Sequence, residues 1–318
     1  MIKRKVLITG GLGYLGGRLS RYLIEKNFEV IVGSSRQDAK LPSELAKCSL
    51  TYIDLNNLQG LTEKCLGVDS VIHLASVNAQ ISQKDPILAI HINGIGTHNL
   101  IQACILCKVK YFLYFSTAHV YGAPLTGKVC ENTISKPLDP YSITHRLAED
   151  FLLEAINNKK INGSVLRLSN SIGLPITKNA YCWMLFINDA CKQAVTKKHI
   201  LINSDPNIER DFISISSVCQ VTEHFLINET TSEYPVFNVG SGASFSLLQM
   251  AKIIADRCES LYKYCPKIIF SKESTLKKNS FNYQVEKLTK EMNFTIDTNL
   301  HTSIDEILKY CKSENKKQ

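Results

Sequence analysis

The sequence predicts an α/β protein in which a doubly wound parallel sheet is joined to a smaller C-terminal domain. Three observations lead to this prediction. Short β-branched runs alternate with helical segments through the first half of the chain. A glycine-rich turn follows the first run, and after Leu168 the alternation gives way to looser, more polar sequence. With 318 residues, 44% of them hydrophobic, the chain can build more than one core.

The predicted strands of the sheet are short apolar runs separated by helical segments. They are Lys5–Thr9, Glu29–Val32, Leu50–Ile53, Ser70–His73, Tyr111–Phe115 and Gly163–Leu168. The predicted crossover helices are Tyr14–Lys26, Pro86–Cys107 and Pro140–Asn157. Parallel strands need such crossovers, so six strands connected in this way predict a doubly wound sheet.

The second half predicts a smaller domain with its own short elements. Its predicted helices are Ala180–Val195, Ser246–Ser260 and Thr302–Tyr310, and its predicted strands are His199–Ile202, Asp211–Ile213 and Val236–Val239. We expect residues 1–168 to form the sheet domain, with 210–240 returning to it. Residues 169–209 and 241–318 are expected to form the smaller domain.

Composition argues against several classes of protein. The formal charge is +8, but the lysines are spread along the chain, which disfavours nucleic-acid binding. No apolar run reaches the roughly 18 residues of a membrane span. The chain runs from Met1 directly into a strand without a signal-peptide pattern, so we expect a soluble cytoplasmic protein with free thiols. Cys104 and Cys107 form an isolated C-x-x-C, for which buried packing is favoured and no metal site is expected.

The turn after the first strand carries the spacing G-x-x-G-x-x-G at Gly10, Gly13 and Gly16. One glycine permits the strand-to-helix turn, one lets backbone N–H groups approach a pyrophosphate, and one allows the helix to pack closely on the sheet. Tyr14 and Leu15 open the helix whose N-terminus then faces the anion. An ordinary glycine-rich turn is the alternative, but the position between first strand and first helix favours a Rossmann-type dinucleotide site.

The end of the second strand bears on the choice of dinucleotide. A carboxylate there would bind the 2′-hydroxyl of NAD, but the sequence has Ser34, Ser35 and Arg36. Two hydroxyls and a guanidinium suit a 2′-phosphate, which favours NADP(H), although Arg36 stacked on adenine would leave NAD bound. Asp54 and Leu55 are expected at the adenine edge, with a helix N-cap as the alternative role of Asp54. Further candidates for cofactor contacts are Leu74, Ala75, Ser76 and Ser116.

Four motifs, taken in order with the glycine loop, carry a resemblance. They are S-T-A-H-V-Y-G at 116–122, D-P-Y-S-I-T-H at 139–145, L-R-x-x-N-x-x-G at 166–173 and R-D-F-I at 210–213. The chain resembles the extended short-chain dehydrogenases/reductases, most of all the NAD-dependent epimerase/dehydratase group that modifies nucleotide sugars. The resemblance covers nearly the whole chain. It implies a nucleotide-sugar epimerase or oxidoreductase that uses a nicotinamide dinucleotide for hydride transfer at a sugar carbon.

Carried across residue by residue, the resemblance implies roles for four side chains. Thr117 corresponds to the hydroxyl that binds the substrate oxygen, Tyr141 to the general base or acid, and Asn93 to the asparagine that supports the site through water. The family has lysine four residues after the tyrosine, where this chain has His145. That ammonium binds the nicotinamide ribose and lowers the tyrosine pKa, so His145 is expected to reach the ribose while phenol activation weakens.

The turn after Thr117 bears on the reaction class. Dehydratases of the family have Asp-Glu after the threonine, but here Ala118 and His119 follow it, which disfavours dehydration. Epimerisation and net oxidation or reduction remain open.

The resemblance also implies the residues that bind the substrate. Arg210 corresponds to the arginine that binds the diphosphate, with a salt bridge to Asp211 or Glu209 as the alternative. Asn170 and Asn179 correspond to residues that line the sugar and nucleotide pocket, and Lys277 and Lys278 are candidates for a second phosphate contact.

Two statements about the whole molecule complete the sequence predictions. The missing lysine motivates an alternative, a catalytically impaired protein that keeps the dinucleotide as a structural or sensing ligand. Retention of Thr117, Tyr141 and Asn93 together favours an enzyme. The family pairs two long helices across a dimer, and Pro86–Cys107 and Pro140–Asn157 are the matching segments, so we expect a homodimer.

Overall fold

The computed structural model describes residues 3–177, 180–230, 232–271, 280–293 and 296–315. The strands in this part of the chain are β1 (Lys5–Thr9), β2 (Glu29–Ser34), β3 (Ser49–Tyr52), β4 (Ser70–His73), β5 (Tyr111–Thr117), β6 (Gly127–Val129), β7 (Asn162–Leu168), β8 (Asn170–Ile172), β9 (His199–Ile202), β10 (Glu209–Ser214), β11 (Val236–Val239), β12 (Ser244–Ser246), β13 (Lys267–Phe270) and β14 (Phe281–Tyr283).

The α-helices are α1 (Tyr14–Glu25), α2 (Leu58–Cys65), α3 (Ala79–Lys84), α4 (Pro86–Ala89), α5 (Gly96–Leu106), α6 (Pro140–Asn157), α7 (Phe186–Thr196), α8 (Ile215–Asn228), α9 (Leu247–Tyr262), α10 (Glu286–Met292) and α11 (His301–Asn315). A π-helical segment, Ile90–Ile95, joins α4 to α5. Short 3₁₀ turns lie at Ser43–Leu45 and Ala118–Tyr121.

Seven strands form the central parallel sheet in the order β11-β7-β5-β4-β1-β2-β3. The chain moves outward in one direction from β1 through β2 and β3, then returns to the other side of β1 at β4. Ligands of doubly wound sheets bind at the carboxyl ends of the strands where this reversal occurs. One apolar core packs α1 and α8 on one face, and a second core packs α2, α5 and α6 on the other.

The smaller unit is built from the chain after β7. Strands β12, β10 and β8 form one sheet, and β13 pairs with β9. Helices α7, α9 and α11 pack against these strands around a separate core that includes Ile187, Met250 and Ile304. Between them the chain returns to the central sheet, where α8 packs on α1 and β11 pairs with β7.

The doubly wound fold predicted from the sequence is confirmed, with differences in detail. The sheet has seven strands rather than six, because Val236–Val239 adds beside β7. The predicted helix Pro86–Cys107 contains the π-helical segment, and the predicted helix Ala180–Val195 begins only at Phe186, after turns at Ala180–Leu185. Helix α8 was not predicted, because its β-branched residues obscured a helical pattern.

Two findings bear on the expectations from composition. All eleven cysteines are free; the Cys104 sulfur lies 3.9 Å from that of Cys65, whereas the Cys107 thiol donates to the carbonyl of Thr62. The members of the C-x-x-C therefore have different partners. Among the described helices, none combines the length and apolar character that a bilayer crossing requires.

Candidate active site

The loop between β1 and α1 forms a tight backbone cradle. Gly10 has φ of +68°, and the N–H of Gly13 donates to its carbonyl at 2.8 Å. A Cβ at Gly16 would lie 2.2 Å from the Gly10 oxygen, and one at Gly13 would lie 3.0 Å from it. The first N–H groups of α1 lie beside this cradle without an acidic side chain in the first turn. Such a helix N-terminus fits a pyrophosphate.

The two residues that follow the cradle face other parts of the fold. The Tyr14 hydroxyl donates to the carbonyl of Gly173 at 2.9 Å, which ties α1 to the loop after β8. Leu15 is partly buried against the core beneath the sheet. Their side chains therefore stabilise the position of α1, and their predicted contacts with a cofactor stay a prediction.

At the end of β2, Ser34 is buried and its hydroxyl accepts the N–H of Arg36 at 3.2 Å. Ser35 and Arg36 are exposed. Asp54 accepts the N–H of Asn56 at 2.9 Å, so it forms a turn and is not a helix cap.

The cap of α2 is a different residue. Asn57 accepts the N–H of Gly60 at the N-terminus of that helix. Leu55 is buried, and its carbonyl accepts from Asn99.

The segment after β4 lies against the cradle. The Thr9 hydroxyl accepts the N–H groups of Leu74 and Ala75, each at 3.3 Å, and Ser76 is exposed. The Ser116 hydroxyl, at the end of β5, instead donates to the Glu149 carboxylate at 2.5 Å and so points into the protein.

Thr117 and Tyr141 meet at the carboxyl end of β5. Helix α6 begins with a capping box between Asp139 and Ser142, with Pro140 in the first turn, so Tyr141 is fixed at its start. The Thr117 hydroxyl lies close enough to the phenol to influence its pKa. Burial raises the pKa of Tyr141 to about 12; the neighbouring Thr117 hydroxyl lowers it and the Asp139 charge raises it.

His145 lies one helical turn further, with 3% of its surface exposed. Its ring packs edge-on to Tyr141 at 4.5 Å between centroids, and its Nδ1 lies 2.7 Å from the hydroxyl of Tyr114 on β5. Its Nε2 is buried and has no hydrogen-bond partner within the described part of the chain. Burial, and secondarily His119, lower the pKa of His145 to about 4, so the imidazole is uncharged at neutral pH.

Asn93 lies in the π-helical segment and is 1% exposed. Its carbonyl oxygen accepts the N–H of Val77 at 2.8 Å, and its amide donates to the Thr144 hydroxyl at 3.0 Å. Thr144 precedes His145 in α6. Asn93 therefore ties the loop after β4 to the helix that carries Tyr141 and His145, and its predicted contact through water stays a prediction.

A buried hydrogen-bond chain that sequence reasoning missed connects the cradle with Asn93. His73 Nδ1 lies 2.6 Å from the Thr9 hydroxyl and its Nε2 lies 2.8 Å from the Thr97 hydroxyl, which donates to the carbonyl of Asn93 at 2.6 Å. Burial lowers the pKa of His73 to about 3. The sequence signal that could have revealed this chain is the presence of polar residues, Thr9 and His73, at the ends of β1 and β4.

Tyr114 was also missed, and no local motif marks it. It is a phenol in the middle of an entirely buried strand, and its importance depends on a partner 31 positions away.

Arg210 lies on β10 and is partly buried. It makes no hydrogen bond or ion pair with the residues that the structure describes, and burial lowers its pKa. Glu209 accepts the N–H of Phe281, and Asp211 accepts from Ser169 and Ser241, so both neighbouring carboxylates have other partners. The geometry therefore disfavours the salt bridge that was the alternative role of Arg210.

The other predicted substrate residues are placed only in part. The Asn170 amide donates to the carbonyl of Asp211 at 2.9 Å, beside Arg210 in the same small sheet. Asn179, Lys277 and Lys278 lie outside the described residues. Arg210 lies close enough to His119 to contribute to the lowered pKa of that imidazole, which is due mainly to burial. The candidate phosphate-binding guanidinium therefore lies in the neighbourhood of the turn that follows Thr117.

Comparison with known proteins gives a consistent family. Residues 6–240 match the model of the NAD dependent epimerase/dehydratase family. The chain is 26% identical over 258 residues to GDP-6-deoxy-D-talose 4-dehydrogenase of Aggregatibacter actinomycetemcomitans, covering 79% of each protein. It is 25% identical over 269 residues to UDP-glucose 4-epimerase of Halalkalibacterium halodurans, covering 78% of each.

A solved structure shows the same fold. UDP-N-acetylglucosamine 4-epimerase from Methanobrevibacter ruminantium, in complex with UDP-N-acetylmuramic acid, superposes with a TM-score of 0.82 at 21% identity, over 99% of this chain and 100% of that one.

Proposed function

This chain belongs to the NAD dependent epimerase/dehydratase family, and from that premise we propose that it is an enzyme that transfers a hydride at a sugar carbon of a nucleotide sugar. The observation that carries the proposal is the proximity of the Thr117 and Tyr141 side chains at the carboxyl edge of the sheet. The same edge holds the glycine cradle. A proton-transfer pair and a dinucleotide cradle therefore lie on one edge of the sheet.

The described residues fit a nicotinamide dinucleotide. A side chain at Gly13 or Gly16 would fill the cradle, and the buried Nε2 of His145 lacks a partner among these residues. When bound, the dinucleotide supplies the hydride donor or acceptor. The cradle would bind its pyrophosphate through backbone N–H groups, and His145 would bind its ribose.

Two side chains are placed to act on the substrate. Thr117 would hold the reacting oxygen of the substrate by a hydrogen bond. Tyr141 would donate a proton to that oxygen or accept one from it as the hydride moves.

The substrate class follows from Arg210. A desolvated guanidinium without a partner among the described residues is best used on an anion, and planar bidentate pairing favours phosphate. The dehydrogenase and the epimerase named above carry GDP- and UDP-linked sugars in their names, which supports a nucleoside-diphosphate sugar. Ala118 and His119 after Thr117 continue to disfavour dehydration, leaving epimerisation or net oxidation or reduction.

Binding and turnover test the proposal together. Gly13→Val should abolish NADH and NADPH binding in calorimetry while the protein stays folded by circular dichroism, because the new side chain would enter the cradle. Tyr141→Phe should keep that affinity and lose turnover with nucleotide sugars. Tyr111→Phe removes a phenol from the start of β5, distant from the site, and should change neither. Full activity in Tyr141→Phe would refute the mechanism, and binding without any turnover would favour the sensing alternative.

For the choice of dinucleotide, we propose a preference for NADP(H). Ser34, Ser35 and Arg36 replace the expected carboxylate at the end of β2, and Arg36 is exposed where a 2′-phosphate could reach it. Affinities for NADPH and NADH in the wild-type protein decide the matter, and equal values would contradict this proposal.

For the assembly, we propose a homodimer that pairs the two long helical segments. Their surface carries exposed apolar side chains, including Ile87 at 63%, Leu106 at 65% and Ile143 at 49% exposure. Exposed apolar side chains on these segments favour association. A monomeric mass by light scattering at micromolar concentration would refute the dimer.

A further inference from the structure

The position that the family fills with lysine holds an imidazole clamped from one side. The His145 Nδ1 lies 2.7 Å from the Tyr114 hydroxyl, and both groups are buried. The two nitrogens of an imidazole face in diverging directions, so Nε2 faces away from Tyr114. It is buried and has no partner in the described residues. One ring nitrogen is therefore fixed by the protein and the other is free for a ligand.

The Tyr114 bond determines which nitrogen carries the proton. Burial raises the pKa of the Tyr114 phenol, so the hydroxyl keeps its proton. Nδ1 of His145 is its only hydrogen-bond partner among the described residues, so donation to Nδ1 is the arrangement that leaves the buried hydroxyl proton satisfied. A neutral imidazole that accepts at Nδ1 must carry its hydrogen at Nε2. The unpartnered atom is thus an N–H donor, which suits a ribose hydroxyl.

Among the described residues, no cation lies beside Tyr141 to assist its proton transfer. The groups that act on it or pack against it are Thr117, Asp139, His119 and His145. Asp139 opposes ionisation of the phenol, and burial holds both imidazoles uncharged at neutral pH. The nearest described arginine on the same helix, Arg146, pairs with Asp150, and Arg210 contributes to the lowered pKa of His119. His73 and Tyr114, behind His145, are also uncharged.

We infer that Tyr114 is a positioning residue that holds His145 as an uncharged Nε2–H donor beside Tyr141, and that this uncharged site favours reduction of a keto sugar over oxidation of an alcohol. This inference rests on the proposed function and selects one of the reactions that it leaves open. The substrate class it names is a nucleoside-diphosphate sugar with a carbonyl group on the ring.

The reduction needs the protonated form of Tyr141, which is the form the site stabilises. Hydride from a dihydronicotinamide adds to the carbonyl carbon, and the π electrons of the C=O bond move to the oxygen. The oxygen takes the proton of the Tyr141 phenol, so the ketone becomes an alcohol while the dihydronicotinamide is oxidised. The phenolate then takes a proton from solvent. Oxidation of an alcohol needs the phenolate first, which is scarce at neutral pH.

The first test isolates Tyr114 from catalysis. Tyr114→Phe leaves Nδ1 without its donor, so both tautomers become populated and NADH affinity should fall by about threefold to tenfold in calorimetry. Nitrogen-15 spectra should show His145 as the Nε2–H tautomer in the wild type and as a mixture in the variant. Tyr111→Phe, the matched control on the same strand, should change neither measurement.

A double variant shows whether Tyr114 acts through the imidazole. In a His145→Ala background, Tyr114→Phe should have no further effect on NADH affinity. An equal loss in both backgrounds, or a wild-type His145 protonated on Nδ1, would overturn the positioning role.

The second test measures direction through pH. The alcohol probes are UDP-glucose and GDP-6-deoxy-D-talose with NADP⁺ or NAD⁺, and the ketone probe is a GDP-4-keto-6-deoxyhexose with NADPH or NADH. Between pH 7 and 9, above the lowered pKa of His119, kcat/KM for reduction should be level. For oxidation it should rise about tenfold per pH unit.

His145→Lys provides the matched comparison for that profile. An ammonium beside Tyr141 should lower the phenol pKa and make the oxidation profile level off at lower pH. A level oxidation profile in the wild type would overturn the inference. Absence of turnover in both directions would refute the proposed function and the reductive role together, while the tautomer and affinity results would still decide the role of Tyr114.

Discussion

Two buried polar regions lie on one face of α6, a single turn apart, and they hold charge differently. Glu149 and Arg167 are fully buried and paired, with 2.6 Å between Arg167 Nη2 and Glu149 Oε2. The Arg167 guanidinium also stacks 4.6 Å above the Tyr121 ring. His145, one turn earlier, is equally inaccessible but uncharged, with one nitrogen unpartnered in the described residues. The fold buries the Arg167 charge beside a counter-ion, although Nη1 of Arg167 also lacks a hydrogen-bond partner in the described residues.

The largest expected effect comes from breaking the paired region. Glu149→Ala leaves the Arg167 charge buried without its carboxylate, so the free energy of unfolding should fall by about 3–5 kcal/mol in urea denaturation. Asp150→Ala removes the next carboxylate of α6, which pairs with Arg146 near the surface, and should cost about 1 kcal/mol or less. Equal losses in the two variants would show that the buried pair is not what stabilises this face.

Arg210, a charged group without a partner in the described residues, should respond in the opposite way. Arg210→Ala removes a desolvated guanidinium, so affinity for UDP and GDP in calorimetry should fall by about 1.5–3 kcal/mol. The free energy of unfolding should stay constant or rise, because no partner among the described residues is lost. Arg257→Ala, whose arginine pairs with Asp305 in the same unit, should lower stability and leave nucleotide affinity unchanged. A large stability loss in Arg210→Ala would contradict this assignment.

Asp211, next to Arg210 in the chain, should make the stability of the protein depend on pH. Burial raises the pKa of Asp211 to about 6 despite donors from Ser169 and Ser241, whereas its ordinary value is about 3.9. Because the folded pKa is the higher one, this group contributes stability below about pH 4 and loses it as pH rises through 6. The full loss is about 3 kcal/mol, of which about 2 kcal/mol falls between pH 4 and pH 7.

The variant Asp211→Asn should remove that part of the stability profile. The measurement is urea denaturation at pH 4 and pH 7. Asp256→Asn, at an exposed carboxylate on α9, should keep the profile of the wild type. Identical pH profiles for Asp211→Asn and wild type would contradict the prediction.

Sequence patterns predicted the sheet better than the elements that surround it. The strands of the first half were found because buried parallel strands read as continuous apolar runs. Helix α8 was missed although Val218, Val221 and Phe225 follow a helical spacing and are buried, because valine and isoleucine also favour strands. The start of α7 was placed too early, because the apolar residues of Tyr181–Leu185 form turns instead.

The candidate site divides in the same way. Thr117, Tyr141 and the glycine cradle were predictable because they are local motifs, and their placement along the chain fixes which edge of the sheet they share. The charge state of His145 could not be predicted, because it depends on burial of the imidazole and on its contact with Tyr114, which lies on β5. Likewise, only the fold shows that Ser116 points to Glu149 and that Asp54 forms a turn.

The smallest effect is expected at Arg36, whose exposed guanidinium is already hydrated by solvent. Arg36 is exposed, so it loses little hydration when it contacts a 2′-phosphate, and an ion pair in such a position is worth about 1 kcal/mol or less. Arg36→Ala should therefore reduce the preference for NADPH over NADH by about fivefold or less, and the effect should shrink in high salt. Lys40→Ala removes an equal charge from the same exposed loop and should leave the preference unchanged. If Arg36→Ala instead weakened the binding of NADPH and NADH equally, the result would indicate that the guanidinium stacks on the adenine ring common to both. Its contribution to affinity would then come from stacking and not from pairing with the 2′-phosphate.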